Sequence, residues 1–286
     1  MKLYLLVAMN GLTVAALYFL VASGFSLIFG LLRSVNMAHG ALYLLGGYVG
    51  YEIAAVSGSW VAGLIGASIA AAIVGAVLHQ FLLRSLEGDE LRQALVTIGF
   101  GVVISDLLLA RYGGATVLFE PPEAIFGSTA LPLVGAYPTI RLFVMGFACA
   151  VGGALWWIIH HTRLGMLIRA GVDDQRIVSA MGFNIGRTML LVFALGAALA
   201  GAAGVVGGSA LSIAPGEDAR ALLSSLVVVI VGGMGSLVGA AVGALLIGMA
   251  EQFGLALFPN YAMLLTFLLM VGVLAVRPAG LFGRGA

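Results

Sequence analysis

Charged residues are so scarce in this sequence that a water-soluble fold is excluded. Of 286 residues, 62% are hydrophobic and only 9% are charged, whereas a soluble domain carries about 25% charged residues. Several apolar runs reach the length of about 20 residues that a helix needs to cross a bilayer. The sequence therefore predicts an all-α polytopic membrane protein, folded as a single transmembrane domain over residues 1–286.

We expect about eight membrane segments. The predicted segments are Leu5–Leu32, Ala41–Val56, Trp60–Leu83, Ala94–Ala110, Thr139–Ile159, Met189–Gly208, a long run Ala221–Leu257, and Tyr261–Val276. Lys2 followed by an apolar stretch resembles a signal peptide, but we expect this stretch to be the first membrane helix. The 42 glycines, about twice the usual share, favour close approach of helices in lipid.

The run Ala221–Leu257 is broken by Gly232–Ser236 (GGMGS). The break predicts two helices joined as a hairpin by glycine-rich backbone at membrane depth, which is tolerated where it is buried in protein or lines a wet cavity. A single long kinked span is the alternative. Asn36–Gly40 (NMAHG) likewise separates an apolar run from a glycine-rich helix, and interrupted segments at matching places in two halves indicate a translocation path.

Basic residues predict the orientation of the chain. With the N-terminus outside, nine basic residues fall inside and four fall outside, the four being Lys2, Arg111, Arg141 and Arg220. The C-terminal tail reaches the inside only if Ala221–Leu257 is a hairpin. The polar connections are Arg84–Gln93, the proline-containing Arg111–Pro138, and the arginine-rich His160–Arg187.

A few polar residues within apolar surroundings are candidates for the path. Asn36 is expected to cap the second span, with His39 in its first turn near the inner membrane boundary; an ordinary capped helix start is the alternative to a gate. Asp106 is the most convincing intramembrane carboxylate, whereas we expect Glu52 and Glu251 at interfaces. The predicted path residues are Asn36, His39, Gly40, Asp106, Gly232, Gly233, Gly235 and Ser236.

The connection 160–187 predicts a short amphipathic helix on the cytosolic surface. Asp173 or Asp174 suits its N-terminus. Ile177, Val178 and Met181 form a small apolar face, and Gly182 is placed to end the helix. The segment is either an ordinary connecting helix or a docking element for a cytosolic protein.

Enzyme signatures are missing from the sequence. Lys2 is the sole lysine, so no phosphate-binding loop of the G-x-x-x-x-G-K-[ST] type exists. His160 and His161 are adjacent and cannot chelate one ion from a helix. The single cysteine, Cys149, excludes a disulfide within the chain and a cysteine-rich metal site. We expect no catalytic residue and no metal site, and the net charge of +1 predicts no nucleic-acid partner.

Several stretches together resemble the inner-membrane permeases of branched-chain amino acid ABC transporters, in the short form of the first of two permease subunits. The resemblance covers essentially the whole chain. The matching stretches are Gly24–Gly30 (GFSLIFG), Val35–Gly40 (VNMAHG), Gly165–Ala170 (GMLIRA), Met181–Ile185 (MGFNI), Phe193–Gly196 (FALG), Leu199–Gly204 (LAGAAG), Gly232–Ser236 (GGMGS) with Gly239-Ala240, and Arg277–Gly283 (RPAGLFG).

This resemblance implies an importer of five parts in a bacterial or archaeal inner membrane, working by alternating access. A homologous second permease, two cytosolic ATPases that bind ATP and Mg²⁺, and an external substrate-binding protein would join this chain, which itself binds lipid but no cofactor. The segment 173–182 would be the coupling helix. The coupling residues implied are Arg169, Asp173, Asp174, Ile177, Val178, Met181 and Gly182. Arg176 stands where the general importer signature has Glu.

Alternatives remain open for the substrate class and for the energy source of transport. Leu, Ile or Val is the default substrate, and related systems carry other small polar or carboxylate solutes. A sugar-importer permease is the nearest alternative. An ion-coupled secondary transporter without an ATPase is the alternative of a different class, and in it Asp106 would be the key residue.

Overall fold

The structure is a bundle of apolar helices. The computed structural model describes residues 2–32, 35–132 and 134–283, without the side chains of Asp173 and Arg176. Seven helical stretches in this part of the chain are long and apolar enough to cross a membrane. The helices are α1 (Lys2–Leu32), α2 (His39–Ser57), α3 (Trp60–Val77), α4 (Glu90–Tyr112), α5 (Thr139–His161), α6 (Arg163–Asp173), α7 (Gln175–Ala180), α8 (Ile185–Leu211), α9 (Glu217–Gly232), α10 (Leu237–Leu257) and α11 (Ala262–Val276).

Each of the eight predicted segments contains helix, which confirms the all-α polytopic fold. The seven stretches long and apolar enough to cross a membrane do not include α2, which holds the predicted segment Ala41–Val56, or α9. The long run 221–257 contains most of α9 and all of α10. The span of α3 continues through a π-helical stretch, Leu78–Leu83, and a 3₁₀ turn, Arg84–Leu86. Asp89 then accepts a hydrogen bond of 3.1 Å from the Arg92 backbone N–H, so α4 begins within the connection that the sequence predicted as a charged loop.

Helix α1 lies at the centre of the bundle, packed against α5, α8, α9 and α10. Glycines allow the neighbouring helices to pack closely, as the sequence predicted. At the crossing of α2 and α8, a Cβ atom on Gly46 would lie 2.5 Å from the Gly201 carbonyl oxygen. Backbone contact of this kind replaces hydrophobic association, which is weak between helices in lipid.

The helix bundle has two opposite ends, which we name by the elements that lie there. At one end, strands β1 (Ser128–Leu131) and β2 (Gly135–Pro138) form an antiparallel β-hairpin. Tyr137 of β2 bonds Thr13 at 2.9 Å and donates to Asn10 at 3.1 Å, so the β-hairpin is fixed to the first half of α1. We call this end the β-hairpin face. The sequence predicted only a proline-containing loop here.

The opposite end, where α1 finishes, carries α6 and α7, and we call it the α6 face. The connection 160–187 contains these two helices rather than one. Gly171 of α6 packs against Leu31, and the C-terminal segment also lies at this end. Leu281 and Phe282 donate backbone hydrogen bonds of 2.9 Å to the carbonyls of Val231 and Gly232, which would otherwise be unpaired at the end of α9.

Helices α9 and α10 form an antiparallel helical hairpin, as the glycine break predicted. Gly232 faces Gly239 across the turn, and a Cβ on Gly243 would lie 3.0 Å from the Gly232 nitrogen. At the far end, the Arg220 guanidinium lies 3.9 Å from the Glu251 carboxylate. The alternative of one long kinked span is therefore wrong, and the tail lies at the α6 face because the chain turns back.

Candidate functional site

The segment before α2 is a buried connection rather than a surface loop. Asn36 Oδ1 accepts a hydrogen bond of 3.1 Å from the Ala38 N–H, and the Met37 N–H donates to Thr97 Oγ1 of α4 at 3.1 Å. Asn36 is therefore not the cap of α2: the cap position is Ala38, whose side chain makes no capping bond. The expectation of an asparagine cap is wrong, although Asn36 does satisfy one backbone donor of this segment.

His39 is completely buried in the first turn of α2. Its Nε2 lies 3.0 Å from the Val21 carbonyl oxygen, and its ring meets Phe25 edge-on. Val21 precedes the end of α1 by eleven residues, or about 16 Å of helix. His39 thus lies about three helical turns inside the end of α1, rather than near an end of the bundle as the sequence predicted, and α2 starts inside the bundle.

The first turn of α9 reaches the same depth. Gly40 packs directly on the carbonyl of Asp218, and a Cβ there would lie 2.9 Å from Leu222 Cβ. The Asp218 carboxylate accepts a hydrogen bond of 2.7 Å from Ser105 of α4. Two of the helices that flank the interrupted segments therefore meet, through Gly40, in the interior of the bundle.

The turn between α9 and α10 is made of glycines and one capping serine. Ser236 accepts a hydrogen bond of 3.0 Å from the Gly239 N–H and so caps α10. Gly233 and Gly235 have φ values of 106° and 80°, which suit glycine. Gly235 packs against Gly30 of α1, so the turn lies near the α6 face.

A cavity of about 1140 Å³ opens at the α6 face. Its walls are the second half of α1, the ends of α4 and α5, α6, the α9–α10 turn and the C-terminal segment. Ser23, Ser26, Gly30, Arg169, Gly235 and Ser236 are among its lining residues. Two of the predicted path residues, Gly235 and Ser236, thus line it, whereas Asn36, His39, Gly40, Gly232 and Gly233 are not among its lining residues.

Asp106 lies apart from the other predicted path residues. It is on the exposed side of α4, and it lines neither the large cavity nor the small one between α1 and α9. Its exposed neighbours on α4 are the apolar residues Val102, Val103 and Leu107. The structure therefore does not join Asp106 to the interrupted segments.

Sequence reasoning missed a cluster of ionisable groups where α1, α9 and α10 meet. Arg220 lies 3.6 Å from Glu217 and 3.9 Å from Glu251, and Tyr18 donates a hydrogen bond of 2.5 Å to Glu251. The sequence assigned Arg220 to an outer connection and Glu251 to an interface. The available signal was the pair Glu217 and Arg220, spaced i, i+3, immediately before an apolar run.

The predicted helix at the surface is α7, and its local signals are confirmed. Asp174 Oδ1 accepts from the Ile177 N–H at 3.2 Å. At the other end Gly182 has φ 85° and donates to the Ser179 carbonyl at 3.0 Å. The predicted residue Asp173 has a side chain outside the described part of the structure.

Apolar side chains are exposed on α7 and in the turn that follows it. Ile177 is 60% exposed and Met181 is 69% exposed, whereas Val178 is 3% exposed and anchors the helix. Arg169 belongs to α6 and donates to the Ile159 carbonyl of α5. Gln175 donates a hydrogen bond of 2.7 Å to the Leu31 carbonyl, which ties α7 to the end of α1.

Comparisons with known proteins agree with one another. The family model described as the permease component of branched-chain amino acid transport systems matches residues 7–274. The chain is 31% identical to the high-affinity branched-chain amino acid transport system permease BraD of Pseudomonas aeruginosa, over 98% of this chain and 96% of the relative. It is 29% identical to the permease LivH of Escherichia coli, over 96% and 94%.

A more distant relative belongs to a different transport system. The chain is 24% identical to the ribose import permease RbsC of Escherichia coli, over 80% of this chain and 71% of the relative. These proteins are all permeases of transport systems. The comparisons thus support the permease interpretation, and they give no support to an ion-coupled carrier.

Proposed function

The chain belongs to the family of permease components of branched-chain amino acid transport systems, and from this premise we propose that it is the membrane-spanning subunit of an ATP-driven ABC importer. Its substrate would be a branched-chain amino acid or a related small polar or carboxylate solute. The observation that carries the proposal beyond family membership is α7, a surface helix that carries the exposed apolar residue Ile177 and is tied to the central helix α1.

The α6 face is the cytosolic face in this proposal. Arg84, Arg92, Arg163, Arg169 and Arg187 belong to segments at this end, and an excess of basic residues marks cytosolic connections. The N-terminus then lies outside the inner membrane and the C-terminus lies in the cytosol. The β-hairpin face would receive substrate from an external binding protein.

Two cytosolic ATPases would dock at α7, one on each permease of a pair. Ile177 and Met181 supply apolar area that docking would remove from water. ATP and Mg²⁺ would be bound by those partner chains, because the only lysine is Lys2 and no phosphate-binding loop occurs in this chain.

Alternating access would run through α1. A movement of α7, driven by closure of the ATPases, would reach α1 through the bond between Gln175 and the Leu31 carbonyl. The close glycine contacts, such as Gly30 on Gly235, leave few interlocking side chains to oppose a shift of α1 along the α9–α10 hairpin. In this proposal the cavity at the α6 face would mark a conformation open to the cytosol.

The second permease would cover the exposed side of α4. A carboxylate at membrane depth is costly against lipid, and Asp106 stands there among exposed apolar residues. A homologous permease seated on α4 would provide a polar or solvated surrounding for this carboxylate. Asp106 is then an interface residue rather than the proton or sodium site that an ion-coupled carrier would need.

The composition of the complex tests this proposal. The chain is purified in mild detergent from its native membrane and its companions are identified by intact-complex mass spectrometry. Two ATPase chains and a second permease are expected. A lone chain or a self-oligomer that persists without an ATPase in several detergents would contradict the proposal.

A further inference from the structure

Four ionisable side chains gather on one side of α1, and we call them the Arg220 cluster: Tyr18 of α1, Glu217 and Arg220 of α9, and Glu251 of α10. Arg220 lies 3.6 Å from Glu217 and 3.9 Å from Glu251. Tyr18 donates to the Glu251 carboxylate at 2.5 Å. The α9–α10 hairpin and α1 thus bring both signs of charge to one place.

The Arg220 cluster lies within the length of the bundle rather than at its ends. Tyr18 follows Asn10, the residue that holds the β-hairpin, by eight positions, or about 12 Å of helix. It precedes the end of α1 at Leu32 by fourteen positions, or about 21 Å. Charged groups at such a depth are costly and mark substrate paths in membrane proteins.

The cluster holds one more carboxylate than guanidinium, so its ion pairs leave one negative charge in excess. Two carboxylates face one guanidinium, and both distances from Arg220 exceed those of a charge-assisted hydrogen bond. The side chain of Arg220 is 59% exposed in the isolated chain. The guanidinium can therefore still donate hydrogen bonds to a carboxylate, and the two glutamates can still accept hydrogen bonds from an ammonium group.

An apolar wall stands next to these charges. A small cavity between α1 and α9 is bounded by Glu217 and Arg220 on the α9 side and by Val14, Leu17, Tyr18 and Val21 on the α1 side. Glu251 does not line this cavity and adjoins it through its bond with Tyr18. The two walls of the cavity match the two parts of an aliphatic α-amino acid: a charged wall for the ammonium and carboxylate groups, and an apolar wall for the side chain.

We propose that the Arg220 cluster is a transit site for zwitterionic aliphatic amino acids, with Arg220 binding the carboxylate and Glu217 and Glu251 binding the ammonium group. This assignment rests on the proposed transport function and adds a site to it. The cavity measures about 50 Å³, room for a few water molecules at most, so the site is closed in this structure.

Opening the site requires the α9–α10 hairpin to move away from α1. Part of the contact over this stretch is made by small residues: a Cβ on Gly248 would lie 2.6 Å from the Ala15 nitrogen, while the Met249 side chain packs on Gly11. Separation therefore has to move one large side chain, that of Met249, off the surface of α1. The bond between Tyr18 and Glu251 would break at the same time, which frees the Glu251 carboxylate for the substrate ammonium.

The test compares variants of the intact importer in proteoliposomes. Arg220→Gln, Arg220→Lys and Glu217→Gln are each reconstituted with the partner permease, the ATPases and the binding protein. Uptake of radiolabelled leucine and ATP hydrolysis are both measured per assembled complex. Arg111→Gln is the matched control, because Arg111 pairs with Glu52 at 2.6 Å outside the Arg220 cluster.

We expect Arg220→Gln to lower leucine uptake per ATP hydrolysed by about tenfold or more, since a hydrogen bond to a charged group is lost. Arg220→Lys should restore part of it, Glu217→Gln should lower it, and Arg111→Gln should leave it unchanged. Parallel losses of uptake and ATP hydrolysis would show a structural role and overturn the site. Unchanged uptake in Arg220→Gln and Glu217→Gln would overturn it too. Absence of ATP-driven uptake by the wild-type complex would instead contradict the proposed function.

Discussion

The side-chain amide of Gln175 lies 2.7 Å from the backbone carbonyl oxygen of Leu31 and donates a hydrogen bond to it. Gln175 is the first residue of α7, and Leu31 is in the last turn of α1. The bond fills one of the carbonyl positions that every helix leaves unpaired at its end. A surface helix and the central helix of the bundle are thereby joined at one point.

Removal of this bond should uncouple ATP hydrolysis from transport. We expect Gln175→Ala to assemble with the ATPases and to lower leucine uptake per ATP by about two- to tenfold, the range for one hydrogen bond. Gln80→Ala, an exposed glutamine at the same face, is the control. Equal coupling ratios for the two variants, measured in proteoliposomes, would contradict this role of Gln175.

The exposed apolar residues beside α7 should hold the ATPases. Met181→Asp places a charge on a surface that docking removes from water, so we expect about tenfold or greater loss of co-purifying ATPase. Leu118→Asp, at an exposed apolar residue of the 113–127 segment that follows α4 at the β-hairpin face, is the matched control and should retain the ATPase. Retention of the ATPase by both variants, measured by quantitative mass spectrometry, would refute docking at this surface.

The α7 segment also shows what local sequence signals can predict. A capping aspartate, a small apolar face and a terminating glycine lie within ten residues of one another, and Asp174, Val178 and Gly182 serve these purposes in the structure. The glycine break at 232–236 is a local signal too, and it predicted the helical hairpin. In the structure the helix ends there because it cannot continue through Gly233 at φ 106°.

Features that depend on contacts between distant parts of the chain could not be predicted from the sequence. Arg220 meets Glu251 only because α9 and α10 run antiparallel and in one register, which no local pattern specifies. The depth of His39 depends on contacts with Val21 and Thr97 of other helices, through its own ring and through Met37. Asp106 is a carboxylate within an apolar run, which made it a candidate path residue. The face of α4 on which it lies is set by packing, which the sequence does not show.

The glycine contact between α2 and α8 should be intolerant of a methyl group. A Cβ on Gly46 would lie 2.5 Å from the Gly201 carbonyl oxygen, so we expect Gly46→Ala to destabilise the chain by about 1–3 kcal/mol. A Cβ on Gly99 in α4 would meet no atom within 4 Å, and Gly99→Ala should be neutral or slightly stabilising. Thermal unfolding in detergent compares the two, and a Gly46→Ala midpoint equal to that of Gly99→Ala would contradict the contact.

The exposed side of α4 should face the second permease. In a Cys149→Ser background, which removes the one native cysteine, we expect Asp106→Cys to cross-link to the partner permease with a short bifunctional reagent. Ile69→Cys, on an exposed position of α3, should remain uncross-linked because the second permease is proposed to cover α4 and not α3. Cross-linking from position 69 but not from 106, detected by mass spectrometry, would move the interface to α3.

ATP-driven import by a complex that contains this chain can be measured as uptake into proteoliposomes. The complex is placed in proteoliposomes with ATP enclosed on the side of the ATPases, and the binding protein loaded with radiolabelled leucine is added to the other side. We expect accumulation of leucine that requires hydrolysable ATP and continues after proton and sodium gradients are dissipated. Accumulation that follows an ion gradient and needs no nucleotide would contradict ATP-driven import.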